Sequence, residues 1–437
     1  YTNDEACERL SSLADAFLMH NRDIRTRCDD SVIRVAKYQV SGNRENTSRP
    51  SKSLSTNYLL RRSRGYAPNP LKLPWENYAQ ILATGPELKN TFCLTKSQYA
   101  FLSHHIGDME NYETLQSFEN GIEHFERLFR VEPEAIVYDL HPDYLATRYA
   151  RERAEHQGLP AFGIQHHHAH IAACMADNGL RGERPIIGVS FDGTGYGSDG
   201  AIWGGEFMLA DYQGFQRFAH LEYTPLPGGD AATRKPARIA LAQLWQAGIE
   251  WDEDLPAVKF LCGDDMTLLR SMLENEINCP KTSSMGRLFD AAAALAGVRG
   301  EVNYEGQAAI EFEALADPNE GGSYLFELNA NTLKTEEFLR SLIADLRSGI
   351  PVPIISARFH NGLANAVLEV CQSANSQFEI DEVALSGGVW QNMTLLQKTI
   401  PLLEQSGFSV YIHQQVPTND GGIALGQAVI GCTQVNR

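Results

Sequence analysis

The chain has 437 residues, 43% hydrophobic and 21% charged, enough for two or three domains with full cores. With 55 acidic against 37 basic residues its formal net charge is −18, which excludes attachment to nucleic acid through a broad basic surface. No apolar run reaches the roughly 18 residues of a membrane span and no signal peptide is evident, so a cytoplasmic protein without membrane contact is expected.

The first residue is Tyr in a polar stretch, and the chain reads as a fragment or processed product. Residues 4–20 space Cys7, Leu10, Leu13, Phe17 and Leu18 with helical periodicity, and 31–38 reads as a strand. Residues 41–57, rich in Ser, Asn and Arg, read as a loop. The basic, Pro-rich 59–74 reads as a linker. Its Arg61, Arg62 and Arg64 fit a solvated strand edge or, because guanidinium forks suit phosphate, an anion contact. A new domain opens at Ile81 with strands and turns at Thr84-Gly85 and Lys96-Ser97. A helix over 115–129, a strand over 135–140 and a helix to about 157 follow. The alternation implies a parallel-cored α/β layer. The eight cysteines are scattered without a CxxC pair, as free thiols of a reducing compartment are.

The apolar run 162–164 leads into His166, His167, His168 and His170, which open an Ala-rich helix over 166–177. Four residues apart, His166 and His170 share one helix face. Two imidazoles so placed can hold one metal ion; solvated histidines at a polar helix start are the alternative. The β-type run 186–191 then delivers Asp192-Gly193-Thr194-Gly195-Tyr196-Gly197. Glycines permit close backbone approach, and successive amides form an anion nest. The same glycines also fit a tight turn between strands 186–191 and 201–209.

Beyond it the sequence predicts a helical region over 231–248, an acidic loop over 250–265, and helices over 284–297, 307–315, 335–348 and 358–375. A strand over 383–386, a helix over 391–405, a strand over 408–412 and a helix over 421–432 close the chain. Each half opens with a glycine-containing hairpin and continues into α/β, which points to a duplicated fold. Ser386-Gly387-Gly388-Val389-Trp390-Gln391-Asn392 lies between a strand and a helix, as a phosphate cradle or a plain βα turn does. Asp420, before the last helix, fits an N-cap or a hard oxygen ligand completing a His/His/Asp site. Asp290 stands on an alanine-rich helix and needs a partner if buried, a ribose hydroxyl being one. Tyr304-Glu305-Gly306-Gln307 is a short glycine turn, and Arg358-Phe359-His360 fits a structural role equally well.

Together QHHHAHIAA, DGTGYGSDGAIWGGE, YTPLPGGDAA, MGRLFDAAAALAGV, YEGQAAIE, ARFHNGLA, LSGGVWQN and NDGGIALGQA resemble the HypF carbamoyltransferases of NiFe-hydrogenase maturation. The resemblance covers the chain from about residue 76 and implies a TsaD-like domain of the duplicated actin/Hsp70-like (ASKHA) fold over 76–437, with subdomains of about 76–184 and 185–437. Residues 1–75 resemble the tail of the family's YrdC-like domain. The resemblance implies that carbamoyl phosphate and ATP give carbamoyl-adenylate at the YrdC-like domain, and that the TsaD-like domain passes the carbamoyl group to the C-terminal cysteine of HypE.

By the same resemblance His166, His170 and Asp420 are metal ligands for Fe or Zn. Asp192, Gly193, Thr194 and Gly195 hug phosphate; Asp290 and Gly306 hold the ribose side; Gly387, Gly388 and Asn392 hold the rest of the nucleotide; Mg is a further cofactor in view. No catalytic protein nucleophile is expected, because an adenylate is already a good leaving group. Most of the YrdC-like domain is absent, so only the transfer half-reaction is expected of this chain. A small-molecule O-carbamoyltransferase places its YrdC-like domain after the TsaD-like one, and a non-catalytic actin-like scaffold lacks the His/His/Asp set.

Overall fold

The computed structural model describes residues 2–24, 26–39, 53–76, 79–261 and 263–435. The chain opens with α1 (Asn3–Leu10) and an antiparallel pair, β1 (Val32–Gln39) and β2 (Ser53–Arg61). Thr2 caps α1, but the helix buries no residue. Leu13 and Leu18 beyond it are exposed. With no surface to pack on, the helix expected over 4–20 ends at Leu10. Of the loop expected over 41–57, residues 41–52 lie outside the described residues and 53–57 belong to β2. The supposed linker is also tied down. Arg62 is buried and donates to the carbonyls of Leu102, Tyr66 and Asn69, so its guanidinium is structural and not free for an anion.

The first half contains β3 (Leu71–Lys72), β4 (Ile81–Ala83), β5 (Cys93–Lys96), β6 (Tyr99–Leu102), α2 (Tyr112–Phe129), β7 (Ala135–Asp139), α3 (Leu145–Gln157) and β8 (Ala161–Ile164), and ends in α4 (His166–Asp177). Its strands order β3-β6-β5-β4-β7-β8. The second half starts with β9 (Ile186–Tyr196), β10 (Ile202–Ala210) and β11 (Phe215–Leu221). A long insertion follows: β12 (Thr224–Pro225), α5 (Pro236–Gln246), α6 (Pro256–Lys259), α7 (Gly263–Glu274), β13 (Lys281–Thr282), α8 (Met285–Leu295), α9 (Gln307–Leu315), β14 (Glu327–Asn329), β15 (Thr332–Lys334), α10 (Glu336–Arg347) and α11 (Val352–Phe378). The acidic loop expected over 250–265 thus holds α6 and the start of α7. The half closes with β16 (Glu382–Ser386), α12 (Met393–Gln405), β17 (Ser409–Tyr411) and α13 (Ile423–Val435).

Strands β6-β5-β4-β7-β8 and β11-β10-β9-β16-β17 follow one plan: an antiparallel three-strand meander whose first strand pairs in parallel with the fourth, and the fourth with the fifth. This is the duplicated α/β arrangement of the actin/Hsp70-like (ASKHA) class. The closing helices cross over. α4 packs on β9 and β16 of the second sheet, while α13 packs on β4 and β7 of the first. They cross each other at Gly426, where a Cβ would stand 1.9 Å from the Ala169 carbonyl oxygen and 2.8 Å from the Ala173 nitrogen. Only glycine lets the two backbones meet there. No helix among the described residues is long and apolar enough to cross a membrane.

Candidate functional site

The crossing places the start of α4 between the two sheets, under the mouth of the interdomain cleft. Gln165 caps α4 by accepting from the His168 amide at 2.8 Å. From there His166 and His170 project one turn apart. Their Nε2 atoms meet two carboxylates: Asp192 of β9 and Asp420, which opens a 3-10 turn (Asp420–Gly422) before α13. His170 Nε2 lies 2.7 Å from Asp192 Oδ2 and 3.5 Å from Asp420 Oδ1. The corresponding distances from His166 Nε2 are 3.8 and 3.7 Å. One ligand atom from each of the four residues lies within 4.8 Å of the others, the one such group among the described residues.

His166 Nε2, His170 Nε2 and Asp192 Oδ2 are buried and make no well-aligned hydrogen bond. Buried polar atoms left so are costly, and converging ones fit a shared cation. Burial works against charged imidazoles here. Asp139, Asp192 and Asp420 more than offset it for His166, whose pKa is raised well above the ordinary range; Asp192 and Asp420 do the same for His170, which is raised. Burial likewise pushes the carboxyl groups up, but the two imidazoles hold Asp192 far below its ordinary value and Asp420 at about 2. The raised histidines and lowered carboxyl groups form one charge-balanced cluster; a divalent ion could take the place of its protons.

The glycine run does its work differently from the expected turn. β9 continues to Tyr196, and the turn falls at 197–200. Phe191 pairs with Gly205 and Gly195 with Trp203, so residues 192–194 bulge opposite Gly204. A bulge re-aims a side chain, here bringing Asp192 to the histidines. A Cβ on Gly195 would sit 2.5 Å from His167 Cε1 and 2.7 Å from His166 Cδ2. That glycine lets β9 lie over the imidazoles. Thr194, Gly195 and Gly387 are not among the residues lining the cleft, whereas Asp192, Gly193, Asp290, Gly306, Gly388, Asn392 and Asp420 are.

The cleft has a volume of about 350 Å³ and an apolar side at Phe289, Ala309, Ile310 and Val389. The helix start expected to cradle phosphate after Ser386 is already filled. Glu313 accepts from the amides of Met393 and Thr394, and Asn392 Oδ1 accepts from that of Leu395. The amide end of Asn392 donates to His360 Nε2, while His360 Nδ1 donates to the Ser356 carbonyl. Burial holds His360 neutral, with its pKa near 4; its role is structural.

Three residues at the site escaped sequence reasoning. Asp139, the last residue of β7, accepts from His166 Nδ1 at 2.8 Å. Arg287 pairs with Asp290 at 3.1 Å, both side chains buried. Burial raises Asp290 to about 6 despite Arg287. Lys89, from the β4–β5 loop, pairs across the cleft with Glu305. An acid ending a parallel strand and a lysine in a hairpin loop were the only signals. His168 donates from Nε2 to the Asp211 carbonyl at 2.6 Å and is structural. His167 is buried beside Trp203.

A sequence model described as HypF Kae1-like domain matches residues 76–177, and one described as Carbamoyltransferase, Kae1-like Domain, second subdomain, matches residues 188–427. The carbamoyltransferase HypF of Synechocystis sp. is 40% identical over 97% of this chain and 54% of its own length. A carbamoyltransferase HypF homolog of Cupriavidus necator is 34% identical over 82% of this chain and 93% of its own. A crystal structure of full-length HypF in the phosphate- and nucleotide-bound form superposes with a TM-score of 0.89 at 41% identity, covering all of this chain and 55% of that one. T. kodakarensis HypF gives 0.88 at 31% identity, covering all of this chain and 56% of its own. The chain spans about half the length of most of the relatives it matches.

Proposed function

Because this chain belongs to the HypF carbamoyltransferase family, we propose that it carries the carbamoyl-transfer half of that chemistry, moving a carbamoyl group from carbamoyl-adenylate to the C-terminal cysteine of HypE. The carbonyl carbon–sulfur bond forms, the bond to the adenylate oxygen breaks, and AMP leaves with the charge. Carbamoyl phosphate supplies the carbamoyl group of that adenylate and ATP its AMP moiety. Residues 76–437 form the transferase domain, with subdomains of about 76–184 and 185–437, and residues 1–75 the tail of a YrdC-like domain.

The carrying observation is the convergence of His166, His170, Asp420 and Asp192 at the floor of a cleft with an apolar wall and two cations, Lys89 and Arg287. The four would hold a divalent metal, Fe or Zn by ligand type. Such an ion supplies Lewis-acid polarisation of a carbamoyl or phosphate oxygen. Gly193 and Gly388 leave room for phosphate close to the backbone. Lys89 balances anionic charge at the mouth, and the Arg287–Asp290 pair with Gly306 faces the ribose side. The apolar wall takes the base and excludes water from a reactive mixed anhydride. The leaving group needs no protein nucleophile.

The test gives the purified protein synthetic carbamoyl-adenylate and HypE and weighs HypE's terminal peptide. A gain of one carbamoyl group is expected, and none with a His166→Ala/His170→Ala variant, which also loses its metal. No transfer by this chain beside an active full-length relative removes the transfer reading; unchanged metal content in the double variant removes the ligand assignment.

A further inference from the structure

A histidine ligates through one nitrogen only if the other carries the proton, so whatever faces the second nitrogen decides the first. For His166 the answer is direct, since Asp139 Oδ2, 2.8 Å from Nδ1, can only accept. Among the described residues no carboxylate pairs with Nδ1 of His170; its ion pairs run through Nε2. Ser386 Oγ lies 3.5 Å from that Nδ1. Ser386 Oγ is 2.8 Å from His413 Nε2, and His413 Nδ1 is 3.9 Å from Asp177 Oδ2. The side chains of His170, Ser386, His413 and Asp177 are all buried.

We propose that Ser386, His413 and Asp177 are positioning residues that fix the tautomer of His170: His170 Nδ1–H points to Ser386 Oγ, the Ser386 hydroxyl donates to His413 Nε2, and His413 Nδ1–H faces Asp177. With a cation held among the carboxylates, His170 Nε2 is then the nitrogen that presents its lone pair to it; without one, Nε2–H faces Asp192 at 2.7 Å. The relay deepens the metal-site reading above and rests on it.

The hydroxyl has a rival acceptor, the His170 carbonyl at 2.9 Å. If it donated there, His413 would have to carry its proton on Nε2. Its Nδ1 lone pair would then face the Asp177 carboxylate inside the core, and His413 Nδ1 has no other partner. A lone pair against a buried anion is the costlier arrangement. His413 is also neutral, as the relay requires: burial, with the neighbouring His170, pushes it down to about 3. Asp177 is fixed by accepting from the amides of Gln414 at 2.6 Å and Gln415 at 3.0 Å. Asp177 closes the helix that carries His170, so the relay clamps both ends of α4 to the second half.

Two measurements on the full chain test this. In the metal-free wild type, nitrogen NMR of labelled histidines is expected to show His413 protonated on Nδ1 and accepting on Nε2. A His413 protonated on Nε2 overturns the relay without any variant. In the second, Ser386→Ala and His413→Phe are each expected to weaken Co²⁺ binding about 10- to 100-fold, as outer-shell changes do, and to shift the cobalt absorption bands. The double variant is expected to bind no worse than the weaker single one, because one chain is broken either way, and Ser386→Thr recovers most of the affinity. A folded Ser386→Ala protein with wild-type cobalt affinity and spectrum sinks the relay alone. A wild type that binds no cobalt sinks the metal reading and the relay with it.

Discussion

The two halves share a strand plan but not a task. In each, the fourth strand of the shared five-strand plan ends beside the cluster: β7 at Asp139, β16 at Ser386. Asp139 backs His166 directly, and Ser386 approaches His170 at longer range. Each meander also sends one charged residue to the cleft, Lys89 from the first and Asp192 from the second. The closing helices differ most. α4 carries the histidines, whereas α13 carries none and offers Gly426 at the crossing. A symmetric frame thus brings unlike chemistry to one point: bases from one half, acids mainly from the other.

The crossing is where the comparison breaks most severely. Gly426→Ala puts a methyl 1.9 Å from a backbone oxygen, which no rotamer change relieves. The helices must part, at a cost of about 1–3 kcal/mol or more for overpacking, and His166 and His170 move off Asp420. A large drop in thermal midpoint together with loss of bound metal is expected. Wild-type stability and metal content would mean that the crossing does not position the site.

The two backing arrangements sharpen the comparison. Asp139→Asn removes a charged partner at 2.8 Å, and a loss of metal affinity of roughly 10- to 100-fold is expected. It should exceed that of Ser386→Ala, whose hydroxyl stands at 3.5 Å; the reverse order in parallel titrations would invert the assignment. The pH response distinguishes metal-free from loaded protein. The folded-state pKa values of His166 and His170 lie above their unfolded ones because the carboxylates outweigh burial. Their contribution to stability is complete below the unfolded imidazole pKa and is lost as pH rises through the raised values. A metal binds the deprotonated forms, so its stabilising increment grows over the same window. Asp420, at about 2, acts only in strong acid and leaves this window untouched. Melting curves with and without Zn²⁺ should diverge as pH rises; parallel curves count against protons and metal sharing the site.

Much of this was legible in the sequence where the chemistry is local. His166 and His170 share a face by helical spacing alone, and 166–177 is a helix as expected. The alternation of strands and helices carried the α/β class. What stayed hidden depends on partners far along the chain. Asp139 acquires meaning only when β8 brings α4 beside it. The start of α12 looked like a free anion site because its cap, Glu313, lies 80 residues upstream. The run at 192–197 looked like a turn because glycines signal turns and bulges alike; pairing with β10 decides which.

Lys89 makes the smallest difference and the most diagnostic one. It stands on the first half and pairs with Glu305 of the second. Burial opposes its charge, but Glu305, Asp420 and Asp192 together hold it above the ordinary lysine range. Its side chain is a third exposed, so the pair is worth about 1 kcal/mol, as partly solvated pairs are. Lys89→Met leaves three carboxylates facing the cleft without that cation. Anions and cations should then respond with opposite sign. ATP or AMP affinity is expected to fall roughly fivefold, the equivalent of that energy, while divalent-metal affinity holds or rises. Glu305→Gln should move both the other way. A fall in both affinities for Lys89→Met would instead make the lysine a strut between the halves, its charge incidental to the site.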